Sequence, residues 1–140
     1  MINDQIFKGV LQGVSNWLEV NNIEFFLGGS RRFGYETYES DLDIFVLQVG
    51  EEEKKDFRIE MKDSGFGHLN SADYPYETFS FKGIIHIIMV DDADEFRRIS
   101  RQHNEVEDMV SRNEKVKNLI KLVKSKARGR EIYEMLIKLV

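Results

Sequence analysis

The 140-residue sequence contains no cysteine, one proline (Pro75) and one tryptophan (Trp17). The lack of cysteine excludes disulfides and thiolate metal sites, and it fits a reducing compartment. A single proline and the absence of any low-complexity tract leave no linker, so one domain spanning 1–140 is expected. No apolar run approaches the roughly 20 residues that cross a bilayer. The start, Met1-Ile2-Asn3-Asp4-Gln5, has neither the basic residues nor the apolar stretch of a signal peptide. Cytoplasm is therefore the expected location, with no membrane partner. No internal repeat is visible. What is present is an ordinary soluble balance, 41% apolar and 32% charged. A chain of this length buries roughly two-thirds of the surface exposed when unfolded.

Charge is unevenly distributed. From Ser111 onward there are nine Lys and Arg against three Glu, a net +6, so the first 110 residues carry −11 of the overall −5. Lys121, Lys124, Lys126, Arg128 and Arg130 offer a positive face to a phosphate backbone. A solvated helix face balancing the acidic body explains the same run, and no aromatic residues interleave with it to stack on single-stranded bases. No DNA-specific motif occurs, and an RNA and a protein partner stay equally open.

Hydrophobic periodicity predicts a helix over 3–21, with Ile6, Val10, Val14 and Trp17 on one face, Asn3 as cap and Asn21-Asn22 as stop. Ile23–Leu27 and Leu42–Val49 read as strands, Glu51–Lys62 as a helix, and Ser64–Pro75 as turns. Tyr76–Phe81 and Ile84–Val90 form an expected antiparallel hairpin about Lys82-Gly83. Asp91 or Asp92 then caps a helix through Arg101, which resumes over 104–110. Glu114–Lys126 is a basic helix with Val116, Leu119, Ile120 and Val123 inward, and a last helix after Gly129 buries Ile132, Leu136 and Leu139. Phe25, Phe26, Phe45, Phe79 and Phe81 are expected in the core. The order implies an α+β fold, a small mixed sheet with helices packed beside it: a core of about 1–100 and C-terminal helices over about 101–140.

The chemistry concentrates between residues 28 and 44. Gly28-Gly29 directly follows a strand and permits positive φ and close backbone approach to a ligand. Ser30 adds a hydroxyl, Arg31 and Arg32 add positive charge, and a short helix opening there would point N–H groups at an anion. Asp41 and Asp43, two apart on a strand, share a face. Two adjacent carboxylates repel unless neutralised, and Mg²⁺ commonly takes one or two carboxylates with substrate phosphate oxygens. A phosphate cradle beside a carboxylate pair points to metal-assisted phosphoryl or nucleotidyl transfer. Ser30 as a covalent nucleophile lacks a visible base, Tyr35 and Tyr38 are loop aromatics, and zinc-ligand spacing is absent.

These residues reach a known pattern. Gly29-Ser30-Arg31-Arg32-Phe33-Gly34, with Thr37 and Glu39-Ser40-Asp41-Leu42-Asp43, resembles the DNA polymerase β-type nucleotidyltransferase superfamily, and more narrowly its small bacterial and phage members. The match covers Leu27–Val46. The resemblance implies a nucleotidyltransferase-like core that moves a nucleoside monophosphate from a nucleoside triphosphate, ATP first, to a hydroxyl on RNA, protein or a small molecule. Gly29 and Ser30 would hold the β- and γ-phosphates, with Gly28, Arg31 and Arg32 beside them. Asp41 and Asp43 would hold Mg²⁺ or Mn²⁺.

The sequence departs from the pattern at one place. The superfamily carries a third carboxylate on a later strand, and here that strand reads Ile84-Ile85-His86-Ile87-Ile88. His86 is a candidate catalytic residue as general base, a candidate third ligand, or a histidine left where the acid was lost. Asp91 and Asp92 lie too far along the strand to replace the acid, and Glu77 on the partner strand is a further candidate. The alternative function is a catalytically weak or inert binding protein of the same fold, such as a regulator or antitoxin-like partner.

Overall fold

The computed structural model describes residues 4–33, 41–69, 75–123, 127 and 129–140. In chain order the elements are α1 (Asp4–Val20), β1 (Phe25–Gly28), α2 (Ser30–Phe33), β2 (Leu42–Leu47), α3 (Glu51–Asp63), β3 (Gly67–Leu69), β4 (Glu77–Phe81), β5 (Ile85–Val90), α4 (Ala93–Arg112), α5 (Glu114–Val123) and α6 (Gly129–Leu139). The strands form one mixed sheet in the order β1-β2-β5-β4-β3. Only β2 and β5 run parallel; the other neighbours are antiparallel. The fold is α+β, as the element order implies.

Period-two alternation divides the sheet into two packed faces. Leu42, Ile44 and Val46 of β2 and Ile85, Ile87 and Met89 of β5 point to one face. There they meet Leu18 and Trp17 of α1 and Phe57 and Met61 of α3. Trp17 packs against Phe57 with ring centroids 6.1 Å apart, a helix-packing role. On the other face Phe26, Phe45 and Leu47 pack with Val90 under Phe96 and Ile99 of α4. A third apolar cluster joins Phe33 of α2 to Val106 and Val110 of α4, Val116 and Ile120 of α5, and Ile132 and Leu136 of α6.

Local signals explain the boundaries. Asn22 takes φ 56° after α1, where the Ile23 N–H donates to Leu18 O at 2.9 Å. Lys82 and Gly83 both adopt positive φ in the turn between β4 and β5, closed by Ile84 N–H to Phe81 O at 2.9 Å. Asp92 caps α4 by accepting from Glu95 N–H at 2.8 Å. Asn113 separates α4 from α5, its side chain accepting from the Lys115 and Val116 N–H groups at 3.0 and 3.2 Å.

Four expectations change. The helix expected to pause after Arg101 runs unbroken from Ala93 to Arg112, because His103 is a buried member of its apolar stripe between Ile99 and Val106. The turn-rich stretch after Ser64 contains β3, which pairs with β4. Leu139 is exposed rather than inward, and Leu119 sits at the rim, because the α5–α6 packing closes on Ile120, Ile132 and Leu136. The Asn3 cap and residues 124–126 of the basic helix lie outside the described residues.

Candidate active site

The site lies along a single row of the sheet. Gly28 pairs with Asp43, Asp43 with His86, and His86 with Ser80. Residues opposite one another on adjacent strands project to the same face. Asp43, His86 and Ser80 therefore share the α4 face, at the end of the sheet where β1 finishes and β2 and β5 begin. Asp41 precedes β2 by one residue and rejoins this group.

His86 Nδ1 lies 3.0 Å from Asp41 Oδ2 and 3.4 Å from Asp43 Oδ1. One ligand atom from each of Asp41, Asp43 and His86 falls within 4.8 Å of the others. All three side chains are partly buried. The hydrogen-bonding contact with Asp43 raises the His86 pKa above the ordinary imidazole value; burial opposes this, and the charges of Asp41 and Asp43 add to the rise. Asp43 Oδ1 is buried and makes no well-formed hydrogen bond among the described residues. Two close carboxylates, a buried carboxylate oxygen and an imidazole nitrogen make a donor set suited to a divalent cation.

The glycines bring the turn against this cluster. Gly29 adopts φ +76°, and a Cβ there would stand 2.6 Å from Asp43 Oδ2, so only glycine lets the turn and the carboxylate meet. A Cβ on Gly28 would stand 2.7 Å from Phe45 Cε2 and 2.9 Å from His103 Nε2. α2 forms directly after the turn, as expected. The side chains of Ser30 and Arg31, together with Tyr35, Thr37, Tyr38, Glu39 and Ser40, lie outside the described residues.

Arg32 is placed differently from the expectation of a phosphate contact. Its Nη1 donates to Leu27 O at 2.8 Å, its Nη2 to Asn104 Oδ1 at 2.6 Å, and its Nε to Glu107 at 2.5 Å. The guanidinium thus clamps the end of β1 and α2 onto α4. Glu77 also lies elsewhere. It is three residues from Ser80 along β4, hence on the opposite face, and it takes a two-point contact from Arg58 at 2.6 and 2.9 Å, with His68 3.4 Å away. Asp91 and Asp92 serve Lys54 and the α4 cap.

Sequence reasoning missed the support behind the turn. His103, 4% exposed, is surrounded by the rings of Phe26, Phe33, Phe45 and Tyr133 at centroid distances of 4.9–5.5 Å. Burial drives its pKa down to about 4, so the ring is neutral. Nδ1 is 2.8 Å from Ile99 O, and a carbonyl only accepts, so Nδ1 carries the proton and the unprotonated Nε2 faces Gly28. The apolar spacing Phe96, Ile99, 103, Val106, Val110 was the available signal.

No protein-family model matches the sequence, and no curated protein matches it. Among solved structures, Cid1, described by its RNA terminal uridylyl transferase activity, superposes with a TM-score of 0.60 at 19% identity, over 88% of this chain and 41% of Cid1. The chain has the DNA polymerase β-type nucleotidyltransferase fold. It spans about two-fifths of Cid1's length. A cytoplasmic RNA terminal U-transferase aligns at 23% identity over 63% of this chain and 30% of its own, with a TM-score of 0.44. Within this nucleotidyltransferase fold, the Asp41–Asp43–His86 cluster occupies the sheet end against which the Gly28-Gly29 turn closes. No helix among the described residues is long and apolar enough to cross a membrane.

Proposed function

We propose that the protein is a divalent-metal-dependent nucleotidyltransferase that moves a nucleoside monophosphate from a nucleoside triphosphate to a hydroxyl acceptor. The carrying observation is the close approach of Gly29 to Asp43, one member of the Asp41–Asp43–His86 cluster. Such a junction puts phosphate-binding backbone and metal-binding carboxylates on the same small ligand.

Asp41 and Asp43 are the metal ligands in this reading, and His86 completes the site. A divalent cation bound by them would neutralise the carboxylates and supply Lewis-acid stabilisation for the α-phosphate and the departing pyrophosphate. The Gly28-Gly29 turn, with Ser30, receives the β- and γ-phosphates. Arg31 adds positive charge beside them, and Arg32 holds the turn against α4. The acceptor oxygen attacks the α-phosphorus in line, the bond to the bridging oxygen breaks, pyrophosphate leaves, and the hydroxyl proton passes to solvent. The donor is ATP first among the triphosphates. An RNA 3′ hydroxyl is the acceptor class favoured by the fold shared with Cid1 and by the net +6 from Ser111 onward. The setting is cytoplasmic.

The test is transfer of a radiolabelled nucleotide from each of the four triphosphates to an RNA oligonucleotide, with Mg²⁺ or Mn²⁺. Asp43→Asn is expected to lower the rate by at least about a hundredfold while circular dichroism stays native, because the lost charge acts directly on the metal. Full activity in that variant refutes the assignment. His86 bridging both carboxylates favours a second reading, an inert binding protein of this fold with its acids satisfied internally. Failure of any triphosphate, with either metal, to yield pyrophosphate or to raise the melting temperature supports it.

A further inference from the structure

We propose that the Asp41–Asp43–His86 site selects a first-row transition dication, Mn²⁺ in preference to Mg²⁺, with His86 Nδ1 as its third protein ligand. This rests on the nucleotidyltransferase reading and specifies the cation of that site.

The register fixes His86 where it must meet both acids. Asp43 and His86 are paired on the parallel strands β2 and β5, and β5 lies between β2 and β4, with Ser80 in register on the far side. The imidazole is hemmed between two strands, and its side chain is only 12% exposed. It turns Nδ1 toward the carboxylates.

The separations suit shared ligation. One ligand atom from each of the three side chains lies within 4.8 Å of the others, close enough for a single cation to be shared. Nδ1 stands 3.0 Å from Asp41 Oδ2 and 3.4 Å from Asp43 Oδ1. The Asp43 oxygen that faces Nδ1 is the buried one lacking a well-formed hydrogen bond among the described residues.

Donor chemistry then separates the two cations. Mg²⁺ demands oxygen ligands and gives up water reluctantly, so its binding depends chiefly on negative charge. An imidazole in place of a third carboxylate removes one negative charge and offers nitrogen as the third ligand. Affinity of first-row transition dications for a mixed nitrogen–oxygen site rises from Mn²⁺ onward, and Mn²⁺, the weakest of them, still takes an imidazole nitrogen more readily than Mg²⁺ does. His86 therefore weakens the attraction for Mg²⁺ while keeping a ligand that Mn²⁺ can use.

The experiment is calorimetric titration of wild type and His86→Asp with Mn²⁺ and with Mg²⁺ separately, in buffer free of nitrogen ligands. Spin-echo paramagnetic resonance of the Mn²⁺-loaded wild type accompanies it. Wild type is expected to bind Mn²⁺ more tightly, and its Mn²⁺:Mg²⁺ affinity ratio should fall at least about tenfold in His86→Asp, where an oxygen ligand replaces the nitrogen. The wild-type echo should show nitrogen modulation from a directly bound imidazole, absent in His86→Asp. His68, against Phe79 on the other face of the sheet, would leave that signal unchanged if it were the source. Binding of both ions with an equal ratio in the two proteins, or a wild-type echo without nitrogen modulation, overturns the inference and leaves the nucleotidyltransferase reading standing. Binding of neither ion by wild type overturns both. The wild-type echo needs no variant, so the test stands even if His86→Asp fails to fold.

Discussion

His103 should make this protein acid-sensitive in a way that can be isolated. Its ring is neutral inside a cage of four aromatic rings, with its pKa lowered from 6.5 to about 4 by burial. The groups that act on it are Ile99 O and the Tyr133 hydroxyl at Nδ1, the Arg32 charge, which lowers the value further, and the Asp43 charge, which raises it. The folded pKa lies below the unfolded one, so protons bind the unfolded chain first. Its contribution to stability is complete above pH 6.5 and is lost as the pH falls toward 4. Between pH 7 and pH 5, linkage over these two values removes about 2 kcal/mol, or about 6 °C in melting temperature for a domain of this size. Urea unfolding of wild type and His103→Gln at both pH values separates this from the carboxylates, which both proteins share. Wild type should lose about 2 kcal/mol more than the variant. Equal losses, or an NMR titration of His103 with a midpoint near 6.5, would refute the burial argument.

Two further outcomes test the turn. Gly29→Ala must carry a side chain at φ +76° and displace Asp43, so it should destabilise by about 1–3 kcal/mol and weaken Mn²⁺ binding, read by thermal melting and calorimetry. Arg32→Lys keeps the charge but loses the planar fork that reaches Leu27 O, Asn104 and Glu107 together; a loss of about 1–2 kcal/mol in urea unfolding is expected, with metal affinity retained.

The motif between Gly28 and Asp43 was legible because it is local: glycines after a strand and acids two apart translate directly into backbone shape and side-chain direction. The hairpin was equally legible, since Lys82-Gly83 specifies its own turn. What escaped was tertiary. His103 looks like a helix-breaking polar residue until Phe26, Phe33, Phe45 and Tyr133, drawn from four other elements, supply its cage. Arg32 looks like a phosphate ligand until α4 presents Asn104 and Glu107, more than 70 residues away. β3 is only three residues long and takes its identity from β4. The proximity of His86 to both acids required knowing that β2 and β5 are adjacent and parallel, which strand patterns alone do not state.

That parallel pairing has a kinetic consequence. Asp43 and His86 are joined only after the chain has traversed α3, β3 and β4, the longest loop closed by any strand pairing in the sheet. A folding intermediate holding just the β1–β2 hairpin would possess both aspartates but not the imidazole. A cation that needs all three donors has no purchase on such a species and stabilises the completed sheet alone. Cation binding should accordingly slow unfolding and leave the refolding rate nearly unchanged, making occupancy of the site a reporter of the completed β2–β5 pairing.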